Sequence, residues 1–153
     1  MDSAKKFAIL RIIFGAVWAV DVFSKWQPYF FANFTSYLTN GAEGQPLLVQ
    51  RWINLWINIV GINPHLFALF VAITETAIAL GLIMGIFTPL VCYGGILFSS
   101  VIWSTAEGFG GPYTVGSTDI GTAIIYALVF AALLIGQCWK VWSIDALRKK
   151  YAL

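Results

Sequence analysis

Four long apolar stretches alternate with polar segments along the chain. They are Phe7 to Trp26, Leu66 to Phe87, Leu90 to Trp103 with its flanks, and Ile120 to Trp139. Each supplies on the order of 20 residues, the number that a helix rising about 1.5 Å per residue needs to cross about 30 Å of hydrocarbon. The pattern therefore predicts an all-α integral membrane protein, a four-helix bundle that forms a single domain over residues 1–153.

The second and third stretches are joined by a very short break. Thr88 and Pro89 follow Gly85, and a proline cannot continue the incoming helix but fits the first turn of the next one. Two helices joined in this way have to run antiparallel. The break therefore predicts a helical hairpin.

The segment between the first two stretches, Gln27 to Pro64, has a helical periodicity of its own. From Leu47 to Ile59, apolar side chains recur at helical spacing while polar ones gather on another face. The apolar positions are Leu48, Trp52, Leu55, Trp56 and Ile59. This pattern predicts an interfacial amphipathic helix in the first outer loop. The sequence leaves three uses of this helix open: a lid, a docking surface for another subunit, or packing of the loop on its own bundle.

The composition excludes a soluble globular protein. Hydrophobic residues make up 59% of the chain and charged residues 10%, which leaves too little polar surface to cover a soluble domain of this size. Seven of the nine basic residues lie near the two termini, and only Lys25 and Arg51 remain for the opposite side. We therefore expect a multi-pass protein of the cell membrane with both termini cytoplasmic, surrounded by the lipid bilayer and without a nucleic-acid partner.

Glu75 is the most informative position for function, because it stands alone in an otherwise uncharged stretch. A carboxylate at that depth costs several kcal/mol unless a partner, a proton or water relieves it. Ala68, Ala72 and Ala79 share its helix face, and such a strip of small residues favours close helix contact. We expect Glu75 to point into the bundle, either at a functional site or as a purely structural hydrogen-bonded acid.

The first span has a polar face. Arg11, Trp18 and Lys25 fall on one stripe, and Asp21 lies at its edge, one turn before Lys25. Counting about 1.5 Å per residue places Glu75 roughly level with the segment from Trp18 to Asp21, so an acid–base cluster is geometrically possible. The alternatives are that Arg11 reaches the headgroups and that Asp21 and Lys25 form an ordinary ion pair.

The second outer segment, Trp103 to Gly121, is rich in glycine and carries the acids Glu107 and Asp119. Its glycines allow the backbone to approach another group closely. Ser117, Thr118 or Asp119 can cap the fourth span, because an acid at a helix N-terminus is favoured by the helix dipole.

Metal and haem chemistry has little support in the sequence. His65 is the only histidine, whereas haem or copper normally needs several converging ligands. Cys92 and Cys138 lie in or beside apolar stretches without CxxC spacing. We expect neither a metal site nor a disulfide.

Together these residues resemble the DoxX/DoxD family over nearly the whole chain. The resemblance rests on four spans with an arginine in the first, the acid in the run from Glu75 to Gly85, the Phe87-Thr88-Pro89 turn, and a stretch that contains Trp103, Glu107-Gly108-Phe109, Pro112-Tyr113 and Thr118-Asp119-Ile120-Gly121. It looks closest to the DoxD branch, the membrane subunit of thiosulfate:quinone oxidoreductase. The resemblance implies a respiratory membrane subunit that passes electrons from thiosulfate or another reduced sulfur compound to a membrane quinone.

Quinone reduction needs an apolar, aromatic-walled cleft, hydrogen-bond donors for the carbonyl oxygens and a carboxylate that carries protons. The expected catalytic residues are Glu75, Asp21 and Lys25. The expected substrate-binding residues are Arg11, Trp18, Trp103, Glu107, Tyr113 and Asp119.

Two other functions remain open at the level of sequence. One is a non-catalytic assembly subunit of a larger respiratory complex, since the aromatic outer segment suits a protein that docks to membrane or extracytoplasmic subunits. The other is a small proton-coupled transporter built around Glu75, which the absence of a broken helix in the apolar stretches makes weaker.

Overall fold

The computed structural model describes residues 2–112 and 120–151, and within these ranges all regular structure is helical. In chain order the helices are α1 Ser3–Lys25, α2 Pro28–Ala32, α3 Phe34–Ala42, α4 Leu47–Gly61, α5 Pro64–Met84, α6 Thr88–Ser104, α7 Thr122–Ile135 and α8 Ile144–Tyr151, with a single 3₁₀ turn over Gly108–Gly110. The all-α prediction is confirmed.

The four predicted spans all form helices, but of unequal length. α1 and α5 have 23 and 21 residues and are long and apolar enough to cross a membrane. α6 and α7 are apolar but shorter, with 17 and 14 residues. α7 falls short of the predicted Ile120–Trp139 stretch because Gly121 before it and Gln137 after it adopt positive φ angles, 100° and 48°.

Both long helices expose most of their apolar surface. Only 28% of the most apolar window of α1, and 39% of that of α5, is buried inside the protein. On α1, Val20 and Phe23 are 76% and 73% exposed. The core helix of a soluble protein buries its apolar side chains, so this surface fits contact with lipid instead.

The predicted hairpin joins α5 to α6. α5 ends at Met84. The following Gly85 has a φ of 67°, the left-handed conformation typical of a helix C-terminus, and Pro89 lies in the first turn of α6. The backbone N–H groups of Phe87 and Thr88 donate to the carboxylate of Asp145, at 2.9 and 2.7 Å. α8 thereby supplies the N-terminal cap of α6.

The four apolar helices pack as two close pairs, α1 with α5 and α6 with α7. Glycines allow both approaches: a Cβ on Gly15 would lie 2.9 Å from Leu82 Cβ, and one on Gly95 would collide with Cζ of the Phe130 ring. Contacts between α5 and α6 and between α1 and α7 join the two pairs. The aromatic core of this arrangement is formed by Phe14, Trp18 and Phe130, whose rings meet edge to face or tilted.

One end of the apolar helices, here called the basal end, holds Arg11, the α5–α6 turn and α8. The guanidinium of Arg11 donates to the carbonyl oxygen of Leu82 at 2.7 Å and to that of Trp142 at 2.6 Å. Leu82 O is one of the last carbonyls of α5, which have no partner within their own helix. Arg11 therefore ties α1 to the end of α5 and to the segment before α8, and both described chain ends lie at this basal end.

The opposite end, here called the capped end, is covered by α2, α3 and α4. Their buried side chains form a second core with α5: Phe30, Phe34, Leu38, Ile53, Val60 and Ala68. The segment from Gln27 to Pro64 therefore packs on its own helices, one of the three uses left open by the sequence. The predicted amphipathic helix is present as α4, and Leu48 and Leu55 of its apolar stripe remain 77% and 51% exposed. Trp56 differs from the prediction, because it is turned inward and partly buried.

Candidate functional site

An acid–base cluster lies between α1 and α5 near the capped end. Lys25 Nζ is 2.7 Å from Asp21 Oδ2 and 3.5 Å from Glu75 Oε2. The Asp21 side chain is 43% exposed, whereas that of Glu75 is 1% exposed. The level predicted from the helical rise is therefore correct. Lys25 and Asp21 are more than an ordinary surface pair, because the same ammonium also faces a buried acid.

The local sequence explains why Glu75 meets Lys25. Asp21 and Lys25 are one turn apart on α1, so both side chains leave the helix on the same side. On α5, Ala68, Ala72 and Ala79 are buried on the same face as Glu75. The close approach of the two helices is seen at Gly15 of α1, which packs directly against Leu82 and Ile83 of α5, and it brings the carboxylate within reach of the ammonium.

A cavity of about 490 Å³ lies against this cluster. Its walls come from the four apolar helices and from α2, α3 and α4, here together called the cap. Five of the residues proposed from the sequence line it: Trp18, Asp21, Lys25, Glu75 and Glu107. Mostly apolar walls with a few polar groups among them are the usual construction of a small-molecule site.

Several lining residues were missed by the sequence analysis. Phe30, Phe34 and Tyr37 of the cap and Ser99 and Tyr126 of the α6–α7 pair belong to this group. The spacing of Phe30 and Phe34, one helical turn apart, and the hydroxyl of Ser99 in an apolar stretch were available signals. Neither signal says which cavity the side chain would line, because that depends on how distant segments pack.

Four lining residues have a buried polar atom without a hydrogen-bond partner in the described ranges. The atoms are Trp18 Nε1, Trp56 Nε1, Ser99 Oγ and Glu75 Oε2, of which Glu75 Oε2 has an ion-pair partner, Lys25 Nζ at 3.5 Å. Leaving a buried polar group unpaired costs about 1–3 kcal/mol, and native proteins contain few such groups. Their collection around one cavity indicates a place where a bound molecule with oxygen acceptors, or water, completes the hydrogen bonds.

Arg11 lies away from this cavity. It precedes Trp18 by seven residues, about 10 Å along α1 towards the basal end. Its side chain is fully buried and bonded to two carbonyl oxygens, so it does not reach the headgroups. Arg11 holds α1 to the end of α5, a role here called the clamp. Because Arg11 does not line the cavity, its position does not support the predicted part in substrate binding.

Trp103 and Glu107 hold the start of α7. Trp103 Nε1 donates to Ile120 O at 2.8 Å, and both carboxylate oxygens of Glu107 accept from the N–H of Ala123, at 3.1 and 3.0 Å. Glu107 therefore serves as the acidic cap at the N-terminus of α7 while it also lines the cavity. Ser117, Thr118 and Asp119, the caps considered from sequence, and Tyr113, a proposed binding residue, lie outside the described residues.

Comparison with known proteins identifies the family. The model of the DoxX family matches residues 7–108, which include most of α1, all of α2 to α6 and the clustered residues Asp21, Lys25 and Glu75. A comparison with curated proteins gives no significant match, and neither does a comparison with solved structures. The narrower resemblance to the DoxD branch stays a prediction. Because the match covers about two thirds of the 153 residues, the chain belongs to the DoxX family of membrane proteins.

Proposed function

We propose that this chain is the quinone-binding membrane subunit of a respiratory oxidoreductase, which passes electrons from thiosulfate or another reduced sulfur compound to a membrane quinone. The observation that carries the proposal is the cavity, which combines unpaired buried donors with an ionisable cluster. Residues from α1, α5, α6 and α7 contribute to it.

The lining residues fit a quinone headgroup. A quinone offers two carbonyl oxygens and a flat ring, and the N–H of Trp18 and the hydroxyl of Ser99 are donors that lack acceptors within the described ranges. Trp18 and Tyr126 supply aromatic faces, with their ring centroids 5.7 Å apart. Trp18, Ser99 and Tyr126 would therefore bind and orient the headgroup beside Glu75.

The ionisable cluster suits a group that delivers protons. Reduction of a quinone to a quinol takes two electrons, supplied by the sulfur compound through a partner subunit, and two protons. With all three groups ionised, Asp21, Lys25 and Glu75 together carry one negative charge, so the cluster has room for one proton. Asp21 is partly exposed and Glu75 is buried, which gives protons a path from the surface through the cluster to the cavity.

Replacing Ser99 by alanine tests the binding site. We expect the full chain in phosphatidylcholine nanodiscs to bind a benzoquinone, measured by quenching of tryptophan fluorescence, and Ser99→Ala to weaken binding about five- to tenfold through loss of one hydrogen bond. Ser100→Ala is the matched control, because the neighbouring Ser100 hydroxyl donates to Ile96 O on its own helix. Equal affinity of both variants and the wild type would remove Ser99 from the site, and absence of binding to the wild type would contradict the proposed function.

We further propose that all four apolar helices cross the plasma membrane and that both termini are cytoplasmic. The proposal rests on the basic residues near the basal end, among them Lys5, Lys6, Arg148, Lys149 and Lys150. The short α6 and α7 are compatible with it, because the bilayer thins locally around short helices.

Labelling of introduced cysteines tests this topology. Glu43 and Lys149 are exposed at opposite ends of the apolar helices, and native Cys92 and Cys138 are fully buried, so background reaction is low. We expect a membrane-impermeant maleimide to label Glu43→Cys only from outside the cell and Lys149→Cys only from inside. Labelling of Glu43→Cys from the cytoplasmic side would contradict the orientation.

A second candidate function, the non-catalytic assembly subunit, is favoured by α4. One face of α4 packs on the protein. The apolar stripe on its other face stays exposed and consists of Leu48, Trp52, Leu55 and Ile59. Such a stripe suits the membrane interface or another subunit of the complex. The two functions differ in the cavity: an assembly subunit needs no quinone in it.

A further inference from the structure

The cavity reaches the outer surface of the protein between α5 and α6. Phe70 of α5 and Leu97 of α6 line it, yet they are 62% and 68% exposed. Gly94, one turn before Leu97, also lines the cavity and is exposed. Residues that border both a cavity and the surface stand at its mouth, so Phe70, Gly94 and Leu97 mark an opening.

The packing of the helices explains why the opening is there. Near the α5–α6 turn the two helices touch, since a Cβ on Gly81 would lie 2.6 Å from a methyl carbon of Val91. One turn further along α6, a Cβ on Gly94 would meet nothing within 4 Å. Because α5 packs mainly on α1 and α6 mainly on α7, the two helices separate beyond the turn and leave a cleft.

The mouth is apolar and faces the region where lipid chains lie. α6 contains no charged residue, and on α5 the single acidic or basic residue besides His65 is Glu75, which lines the cavity but is 1% exposed. The surface around the mouth continues the exposed apolar side chains of both helices, among them Ile73 and Leu90. A molecule dissolved in the bilayer can therefore reach the cavity without passing through water.

From this arrangement we infer that the cavity takes a long-tailed quinone sideways from the bilayer, with its headgroup at the Glu75 and Lys25 side and its apolar tail leaving between Phe70 and Leu97. The inference rests on the proposed function and adds to it the route by which the quinone enters and the place of its tail. Gly94 is a specificity-determining position, because its lack of a side chain keeps the cleft between α5 and α6 wide enough for the tail.

Filling the mouth tests this inference. In Gly94→Phe the new ring has open space in the empty cleft and competes with the tail, whereas the headgroup site is unchanged. We expect the equilibrium affinity for a long-tailed benzoquinone to fall about tenfold or more, the size of effect that overpacking of a filled space produces. Affinity for the same benzoquinone without its tail should stay within about twofold of the wild type.

Gly61→Phe is the matched control, since a Cβ on Gly61, at the end of α4, also meets nothing within 4 Å and lies outside the cavity. It should leave both affinities unchanged. Gly94→Leu provides a smaller obstacle if the phenylalanine variant does not fold, and it should show a smaller loss for the long-tailed probe.

The outcomes separate this inference from the proposed function. If the wild type binds both probes and the Gly94 variants bind both with the wild-type affinity, the tail does not pass through the mouth, whereas the quinone site itself is supported. If the Gly94 variants lose both probes equally, the tail does not pass there and the inference is overturned. If the wild type binds neither probe, the proposed function itself fails.

Discussion

Glu75→Gln is expected to lower quinone-linked turnover about 100-fold or more, the usual contribution of a group that transfers a proton, while the protein still folds and assembles. Glutamine has nearly the same size and can hydrogen-bond, but it cannot take up and release a proton. Lys25 keeps its partner Asp21 at 2.7 Å, so the variant leaves no isolated buried charge. The measurement is quinone reduction by the native complex, with a reduced sulfur compound as the electron donor.

The control for this variant is Glu43→Gln, which makes the same change at an exposed position on the cap. It should leave turnover unchanged. Asp21→Asn and Lys25→Met extend the test, because a proton path through the cluster predicts losses at all three positions. Wild-type turnover in correctly assembled Glu75→Gln protein would show that Glu75 only holds the helices together, since an amide serves that purpose nearly as well. The assembly-subunit function would then be preferred.

Arg11→Met is expected to have the largest effect on stability, lowering the free energy of unfolding by about 3 kcal/mol. The substitution keeps an unbranched, apolar stem but leaves the carbonyl oxygens of Leu82 and Trp142 without their donors inside the protein. It also separates the end of α5 from the segment that precedes α8. A lower midpoint of thermal unfolding in mild detergent is the measurement.

Lys6→Met is the matched control, because Lys6 carries the same charge on the same helix but is exposed. Its midpoint should stay close to that of the wild type. Arg11→Lys should fall between Arg11→Met and the wild type, since a single ammonium does not reproduce the fork of a guanidinium. An Arg11→Met midpoint equal to that of Lys6→Met would contradict the clamp.

The clamp also explains why the α5–α6 turn requires glycine. Gly85 has a φ of 67°, and a Cβ there would collide with Arg11 Nη1 and with the backbone of Ser143. The sequence contains both Gly85 and Arg11, but they are 74 positions apart. Their mutual dependence follows from the antiparallel packing of α1 and α5 and has no signature in either segment alone.

Much of this protein is determined locally and can therefore be predicted from the sequence. The apolar stretches specify the four apolar helices, Pro89 and Gly85 specify the hairpin, and the periodicity of Leu47 to Ile59 specifies α4. These features depend on side-chain hydrophobicity and backbone preference within about one helix length, so no distant contact is needed to form them.

For the candidate site, the local sequence determined which residues stand out but not that they meet. Helical spacing placed Asp21 beside Lys25, and the isolation of Glu75 in an apolar stretch marked it as exceptional. Its level along the helix axis followed from counting residues. That Glu75 meets Lys25 at 3.5 Å also requires α1 to pack against α5, which the strip of small residues favours without specifying the rotation of either helix.

The tertiary structure alone decided the cavity, its mouth and the place of Arg11. Ser99 and Phe30 line the same cavity because segments distant in sequence converge there. The mouth exists because α5 packs mainly on α1 whereas α6 packs mainly on α7. The partners of Arg11 are backbone carbonyls, which every residue has and no sequence pattern marks. The sequence by itself determined the elements, whereas the choice among their possible packings is a property of the whole chain, since each contact depends on all the others that position it.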